Sequence, residues 1–345
     1  MTKIRENKNL QFFDFDPHDR IAWEKQRIWI SGMDDLTKDV CLGGSDVGIV
    51  LGLSEYKSRG ALYYEMIGLK EPIHPINAHT YRGHVLEEII ESAYWRFFDP
   101  KNGNIDDVMS AARAGKPLRK SEALHSMVKN KKYPWLFANV DRLVIEDLEG
   151  VLEIKSMYST ALEKWLGGIT PQYIVQLQEY LLLLELTFGE IFVLSDATFP
   201  VLFPMEANEN VQSNILSQTK EFCDKVNAAR KAIHKTTTED EAMAAAAEFE
   251  PEPESTLPYI QFLMEMHRPD NIKEPYIGND ALLREVLKYS KTKDQIEKLT
   301  NSLIEPEVII REAMRVQKAN ALIFEGYDAR ITWKKKFTLP YKKFI

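Results

Sequence analysis

Two period-two runs, WLFANVDRLVI (135–145) and GVLEIKSM (150–157), flank the turn-forming stretch EDLEG, and no other segment limits the fold as much. Side chains alternate across a strand, so the simplest arrangement is an antiparallel hairpin with one face on a core. Leu152 and Ile154 supply that face, while Glu153 and Lys155 share the other. A turn centred near Leu148 puts Asp141 opposite Lys155 and diagonal to Glu153, within about 8 Å. Two carboxylates and an ammonium then converge. Such a group is either an ion cluster on the wet face of a half-exposed hairpin or a seat for a hard cation. Mg²⁺ suits the second reading, because it keeps several waters and accepts one or two protein carboxylates beside a phosphate. The lysine then orients or deprotonates a water and balances the charge of a phosphoryl transition state.

Three other segments carry polar groups in apolar settings. In RGHVLEEIIESAYWRF, Leu86, Ile89, Ile90, Ala93 and Tyr94 form an apolar face, Glu88 and Glu91 point to solvent, and Glu87 sits at the edge. Glu87 is either a boundary residue or a further ligand. PQYIVQLQEYLLLLEL is apolar on nearly every side, the pattern of a buried helix, so Gln176 and Tyr180 are either a satisfied core pair or groups aimed at a polar site. In CLGGSDVGIVLG, Ser45 reads as the N-cap of a helix whose first amides, with Arg27 from the helix before it, can hold a phosphate. A plain capped helix is the alternative.

From about 20 to 205, helical and strand-like patterns alternate, which is α/β material. The acid-rich stretch around EDEAMAAAAEFEPEPE (239–254) reads as a linker or solvated helix end and accounts for nearly all of the net charge of −8. The remainder is close to neutral. Its bases cluster at Arg113, Lys116, Arg119, Lys120, Lys129, Lys131 and Lys132, and again at Lys334 to Lys336, Lys342 and Lys343, either as local basic surface or as solvated faces. Amphipathic helices follow the acidic stretch, and ALIFEGYDARITWKKKF reads as a closing hairpin. Two cysteines are too few for a disulfide framework, a four-cysteine zinc site or an iron–sulfur cluster. No apolar run approaches the ~18 residues of a membrane span, and the opening lacks a signal-peptide core, so a cytoplasmic protein is expected.

Taken in order, Trp23 and Arg27, GGSDVGIVLG, YKSRGALYYEMIGL, RGHVLEE, ANVDRLV, VLEIKSM and PQYIVQLQEYLL resemble the YqaJ-type viral recombinase family, within the lambda-exonuclease-like PD-(D/E)XK nucleases. The likeness covers about 20 to 195. It implies a restriction-endonuclease-like α/β (α+β) fold, with a central mixed sheet flanked by helices and a mainly helical C-terminal extension. The implied organisation is an exonuclease core over 1–205, a helix and acidic linker over 206–256, and a helical extension with closing strands over 257–345.

The resemblance makes Asp141, Glu153 and the Ile154 carbonyl ligands of Mg²⁺, for which Mn²⁺ can substitute, and Lys155 the catalytic lysine. Glu87 becomes the acid of the helical motif and a ligand, and Gln176 with Tyr180 the pair near the attacking water. Arg27, Ser45 and Asn139 become the 5′-phosphate contacts. Two positions depart from the family: Val140 replaces its proline, and Asn139 replaces a phosphate-binding serine, which puts a strict 5′-phosphate requirement in doubt. The implied activity is digestion of one strand of duplex DNA from its 5′ end. Implied partners are double-stranded DNA ends, a single-strand annealing protein and further copies of the chain, as in a trimeric ring, in the bacterial host cytoplasm if the protein is phage-encoded.

Overall fold

The computed structural model describes residues 3–71, 78–96, 118–145, 149–165, 167–196, 200–266, 278–317, 321–323 and 330–332. The chain divides into two units, Met1–Arg268 and Pro269–Ile345.

In the first unit, β1 (Leu10–Asp14) leads into α1 (Arg20–Ser31), whose ends are set locally. Asp19 accepts from the Ala22 amide, and Gly32 adopts a left-handed φ of 71° that closes the last turn. β2 (Leu42–Gly43) runs straight into α2 (Gly44–Val50), followed by α3 (Arg59–Met66), capped by Ser58, and α4 (Ala78–Trp95). Short strands β3 (Ser121–Glu122), β4 (Ser126–Asn130) and β5 (Leu136–Phe137) precede β6 (Arg142–Ile145) and β7 (Glu149–Met157). Helices α5 (Ser159–Trp165) and α6 (Pro171–Leu184) carry the chain to β8 (Phe188–Ser195) and β9 (Val201–Glu206). The unit ends with α7 (Glu209–Ile233), α8 (Glu239–Ala247) and α9 (Leu257–Met266).

The central sheet has the order β3-β6-β7-β8-β9, and β7 and β8 are parallel while the other neighbours are antiparallel. A parallel pair needs a crossover connection, which α5 and α6 supply. The expected mixed sheet flanked by helices is therefore present, and both its faces are covered. Val144, Leu152, Ile154 and Phe192 pack on Ile90 and Tyr94 of α4. Leu143, Val151, Ile191 and Val193 join the larger core with Leu177 and Leu181 of α6. The second face is thus largely covered: of its polar groups Glu153 is buried and the Lys155 side chain is 23% exposed.

Helix α4 corrects two sequence expectations. Ile89 is 56% exposed, and Glu91, expected in solvent, turns inward to Arg142 and Ser121. A helical wheel ranks residues by apolarity and does not register a cation waiting on a neighbouring strand.

The acidic stretch also differs from the linker expected. Thr238 caps α8 by accepting from the Glu241 amide, Ala242 and Ala246 are buried, and Tyr63 Oη donates to the Ala246 carbonyl at 2.7 Å. The alanines let the helix backbone come close, so a low-complexity run becomes a packing surface. Nearby, α7 carries Arg230, 3% exposed. Its Nε donates to the Met66 carbonyl at 2.8 Å, and Nη1 donates to those of Gly32 at 2.8 Å and Lys38 at 3.0 Å. Burial lowers its pKa to about 10.

The basic cluster is largely tied down where it is described. Arg119 pairs with buried Glu190 at 2.6 Å, Lys132 with Glu185 at 2.6 Å, and Lys131 donates to the Lys8 carbonyl. Arg113, Lys116, Lys334 to Lys336, Lys342 and Lys343 lie outside the described residues. Both cysteines are free and buried. Among the described residues, no helix is long and apolar enough to cross a membrane.

The second unit contains α10 (Asp280–Ser302), capped by Asn279, and α11 (Ile304–Val316). The closing hairpin forms between β10 (Ala321–Ile323) and β11 (Arg330–Thr332), which pair antiparallel.

Candidate active site

The hairpin register decides which acids meet. Arg142 pairs with Leu152 and Ile145 with Glu149, which sets Asp141 beside Glu153 rather than opposite Lys155. A two-residue shift leaves every side chain on its face, so the expected convergence survives the correction. Asp141 Oδ2 accepts from the Ile154 amide at 2.8 Å, which ties the first carboxylate to the backbone of the strand bearing the second.

Glu153 is 2% exposed. Its Oε1 accepts from Lys155 Nζ at 2.5 Å and from Gln176 Nε2 at 3.0 Å, and Gln176 Nε2 also donates to Tyr180 Oη at 2.9 Å. Its Oε2 has no hydrogen-bond partner among the described residues. Burial, and after it the charge of Asp141, pushes this carboxyl up to about 7, against the pull of Lys155. Burial alone would lower the Lys155 amine, but Glu153 and Asp141 outweigh it and hold the ammonium above its usual range. The ammonium also lies 5.0 Å from the Tyr173 ring centroid, and Tyr173 packs against Trp165 with centroids 4.9 Å apart and ring planes tilted by 48°. A surface ion pair has none of this enclosure.

Glu87 reaches the same region from α4. Burial and then Asp141 raise its carboxyl above the usual range, while Arg142, whose Nη1 donates to Glu87 Oε1 at 2.6 Å, opposes them. The charge of Glu87 is therefore coupled to the Asp141–Glu153 pair, but one of its oxygens is committed to Arg142.

Whether these residues suit a cation is decided by Glu153 Oε2. A buried carboxylate oxygen left unpaired costs on the order of 1–3 kcal/mol or more, so it calls for a proton or a cation. Among the described residues no cluster of three or more His, Cys, Asp or Glu is arranged to hold a metal by itself. Asp141 and Glu153, with only oxygen to offer, fit a hard cation that keeps most of its waters, and lack the nitrogen and sulfur donors of zinc sites.

The second expected cluster is only partly assembled. Arg27 Nη2 donates to Ser45 Oγ at 3.2 Å, and its guanidinium lies 5.7 Å from the Trp23 ring centroid. Asn139, in the connection between β5 and β6, has no hydrogen bond to either residue among the described contacts. Ser45 is also not the N-cap: Gly43 holds that place, and Asp46 Oδ2 accepts from its amide at 3.0 Å.

Gly44 joins the two clusters. A methyl group added there would collide with the Tyr180 ring, which sits in the main core. Gly44→Ala is expected to displace Tyr180 and with it Gln176, costing about 2 kcal/mol of stability and lowering any DNA cleavage about tenfold. Urea unfolding and initial rates measure both, and an alanine variant with wild-type rates would show that Tyr180 does not position Gln176.

Arg142 and Tyr173 are site residues that sequence reasoning missed. A faint signal existed for Arg142, since a guanidinium on the Leu152 face of the hairpin has to find carboxylates. Tyr173 carried none, because nothing local tells that its ring faces Lys155.

Residues 23–185 match the model of the YqaJ-like viral recombinase domain. The uncharacterized protein YqaJ of Bacillus subtilis (strain 168) is 28% identical over 141 residues, 41% of this chain and 38% of that protein, so the match spans well under half of the relative's length. Among solved structures, the alkaline exonuclease LHK-Exo of Laribacter hongkongensis aligns over 59% of this chain and 94% of its own, at 16% identity and a TM-score of 0.44. A phage related exonuclease from Haemophilus somnus 129PT aligns over 60% of this chain and 100% of its own, at 14% identity and a TM-score of 0.37.

Proposed function

From the match of residues 23–185 to the YqaJ-like viral recombinase domain, we propose that the chain is a divalent-metal-dependent deoxyribonuclease that digests one strand of linear duplex DNA from its 5′ end. The observation that carries the reading is Asp141 beside buried Glu153, whose Oε2 is unpartnered and whose Oε1 lies 2.5 Å from the Lys155 ammonium. Asp141, Glu153 and the Ile154 carbonyl are the groups that would hold Mg²⁺ or Mn²⁺. A cation held by these groups would supply Lewis acidity toward a water and offset charge on the phosphate oxygens.

The remaining work belongs to the chain's own side chains. Lys155 keeps its proton in the free protein and so places a fixed positive charge where the phosphoryl oxygens gain negative charge. Gln176 fixes Glu153 Oε1 and is itself fixed by Tyr180, which preorganises the carboxylate before DNA arrives. Arg27 and Ser45 are the candidates for a terminal 5′-phosphate. The products are 5′-mononucleotides and a 3′-tailed duplex, the substrate of a single-strand annealing protein. That partner and a ring-shaped homo-oligomer around DNA belong to the same proposal and rest on the family resemblance.

A linear duplex labelled at one 5′ end or one 3′ end, incubated with Mg²⁺ beside a covalently closed circle, tests the reading. Early release of the 5′ label as mononucleotide with the circle intact is expected. Cutting of the circle would replace the exonuclease reading with an endonuclease one, and no cleavage with Mg²⁺ or Mn²⁺ would overturn the enzymatic reading.

A further inference from the structure

Helix α6 serves both members of the Glu153–Lys155 pair from one face. Tyr173, Gln176 and Tyr180 stand at positions i, i+3 and i+7, which follow one another along a single helical stripe. Gln176 Nε2 donates to Glu153 Oε1 at 3.0 Å, while the Tyr173 ring centroid lies 5.0 Å from Lys155 Nζ. The ring is braced. Trp165, 6% exposed, packs against it with centroids 4.9 Å apart, and Phe203 of β9 packs against Trp165 at 6.2 Å. The ammonium has three N–H donors, and among the described residues Glu153 Oε1 is the one acceptor bonded to it. Lys155 is thus held twice, by a carboxylate and by an aromatic face.

These two holds respond differently to a divalent cation. With a cation on Glu153, the carboxylate has less negative charge to offer, and the ammonium meets a like charge nearby. An aromatic face attracts an ammonium through its quadrupole, so it has no charge to lose, and the face carries no oxygen for which a hard cation competes. The hold by Tyr173 therefore persists when the hold by Glu153 weakens.

We propose that Tyr173 is a positioning residue whose ring face, braced by Trp165, keeps the Lys155 ammonium in place for the reacting phosphate when Glu153 is committed to a cation. The inference rests on the nuclease reading of the site. It assigns the work to the ring and not to the hydroxyl, and to the transition state and not to DNA binding. An ammonium already in place needs no reorganisation as the phosphoryl oxygens gain charge. Without the ring, the same ammonium spreads over several rotamers, and only a fraction of bound complexes presents it correctly.

The test uses the full chain with Tyr173 replaced by leucine, by phenylalanine, and by phenylalanines bearing one, two or three ring fluorines. Fluorination keeps the shape of the ring and drains negative potential from its face. At saturating duplex DNA with Mg²⁺, Tyr173→Phe is expected to cleave within about twofold of wild type, and Tyr173→Leu about fivefold more slowly. The rate should fall with each added fluorine, while the half-saturating DNA concentration and the melting temperature stay put. A packing role predicts equal rates across the fluorinated series, and that result would overturn the assignment. An equal loss in Tyr173→Phe and Tyr173→Leu would overturn it too, since the hydroxyl would then be the active part. A second readout needs neither metal nor DNA. In protein labelled at the lysine ε carbons, the Lys155 ε-methylene protons should resonate upfield of those of exposed lysines and lose that shift in Tyr173→Leu; an unshifted wild-type signal refutes the contact. Lys155→Met separates the two readings. Wild-type cleavage that Lys155→Met abolishes, with a flat fluorine series, refutes the inference alone. A wild-type protein that cleaves nothing with Mg²⁺ or Mn²⁺, or a Lys155→Met variant that cleaves like wild type, refutes the nuclease reading and the inference with it.

Discussion

Replacing Glu153 by glutamine is expected to lower DNA cleavage by about three orders of magnitude, or ~4 kcal/mol in the barrier, without harming the fold. The amide is nearly isosteric and still accepts from Lys155 and Gln176, so the packing around β7 survives. What disappears is the negative charge needed to hold a cation beside Asp141. Two changes in stability oppose each other, since the amide relieves the desolvation of the unpartnered oxygen while Lys155 loses its charged partner and keeps Asp141, so a net change of about 1–2 kcal/mol with the fold retained is expected.

The pH dependence gives an independent check. The Glu153 carboxyl sits at about 7 in the folded protein, above its ordinary value, so the folded state holds a proton that the unfolded state has released. Its contribution to the stability of the metal-free protein is full below the ordinary carboxylate range and is lost as pH rises through about 7. Glu153→Gln should remove that slope. Melting curves and single-turnover cleavage across this window measure both effects, and cleavage within tenfold of wild type would refute the catalytic assignment.

Arg230→Met is expected to cost the first unit about 4 kcal/mol, roughly a 10 °C fall in melting temperature. Methionine matches the aliphatic stem but leaves the carbonyls of Gly32, Lys38 and Met66 without their donor. These close the C-terminal ends of α1 and α3 and the connection after α1, so one side chain on α7 satisfies three separate chain segments. Arg230→Lys supplies one ammonium in place of a planar fork and should recover only part of the loss. Thermal and urea unfolding decide the matter. A shift under about 2 °C would mean that water reaches the carbonyls.

How much of this was legible beforehand follows from the range of the interactions involved. Alternation within WLFANVDRLVI and GVLEIKSM placed Glu153 and Lys155 on one face, and an all-round apolar helix flagged Gln176 and Tyr180 as buried polar groups that need partners. Both signals are local. The observed register differs by two residues from the one a turn at Leu148 implies, since EDLEG allows more than one turn and packing on α4 and α6 selects the pairing. Arg230 gave no signal, because its carbonyl partners lie more than 160 residues away. Glu91 and the alanines of α8 were misread for the same reason: composition suggested solvent, and a distant strand or helix supplied a partner instead.

The anchoring of Asp141 by the Ile154 amide has an evolutionary consequence. Every residue except proline carries that N–H, so the attachment does not depend on which side chain stands at 154. Drift at that position, Ile154→Val included, leaves the aspartate where it is, while proline alone would cut it loose. A lineage can therefore rewrite much of the hairpin's apolar content and retain the placement of its acids, because the feature under selection is carried by a group that nearly all codons encode.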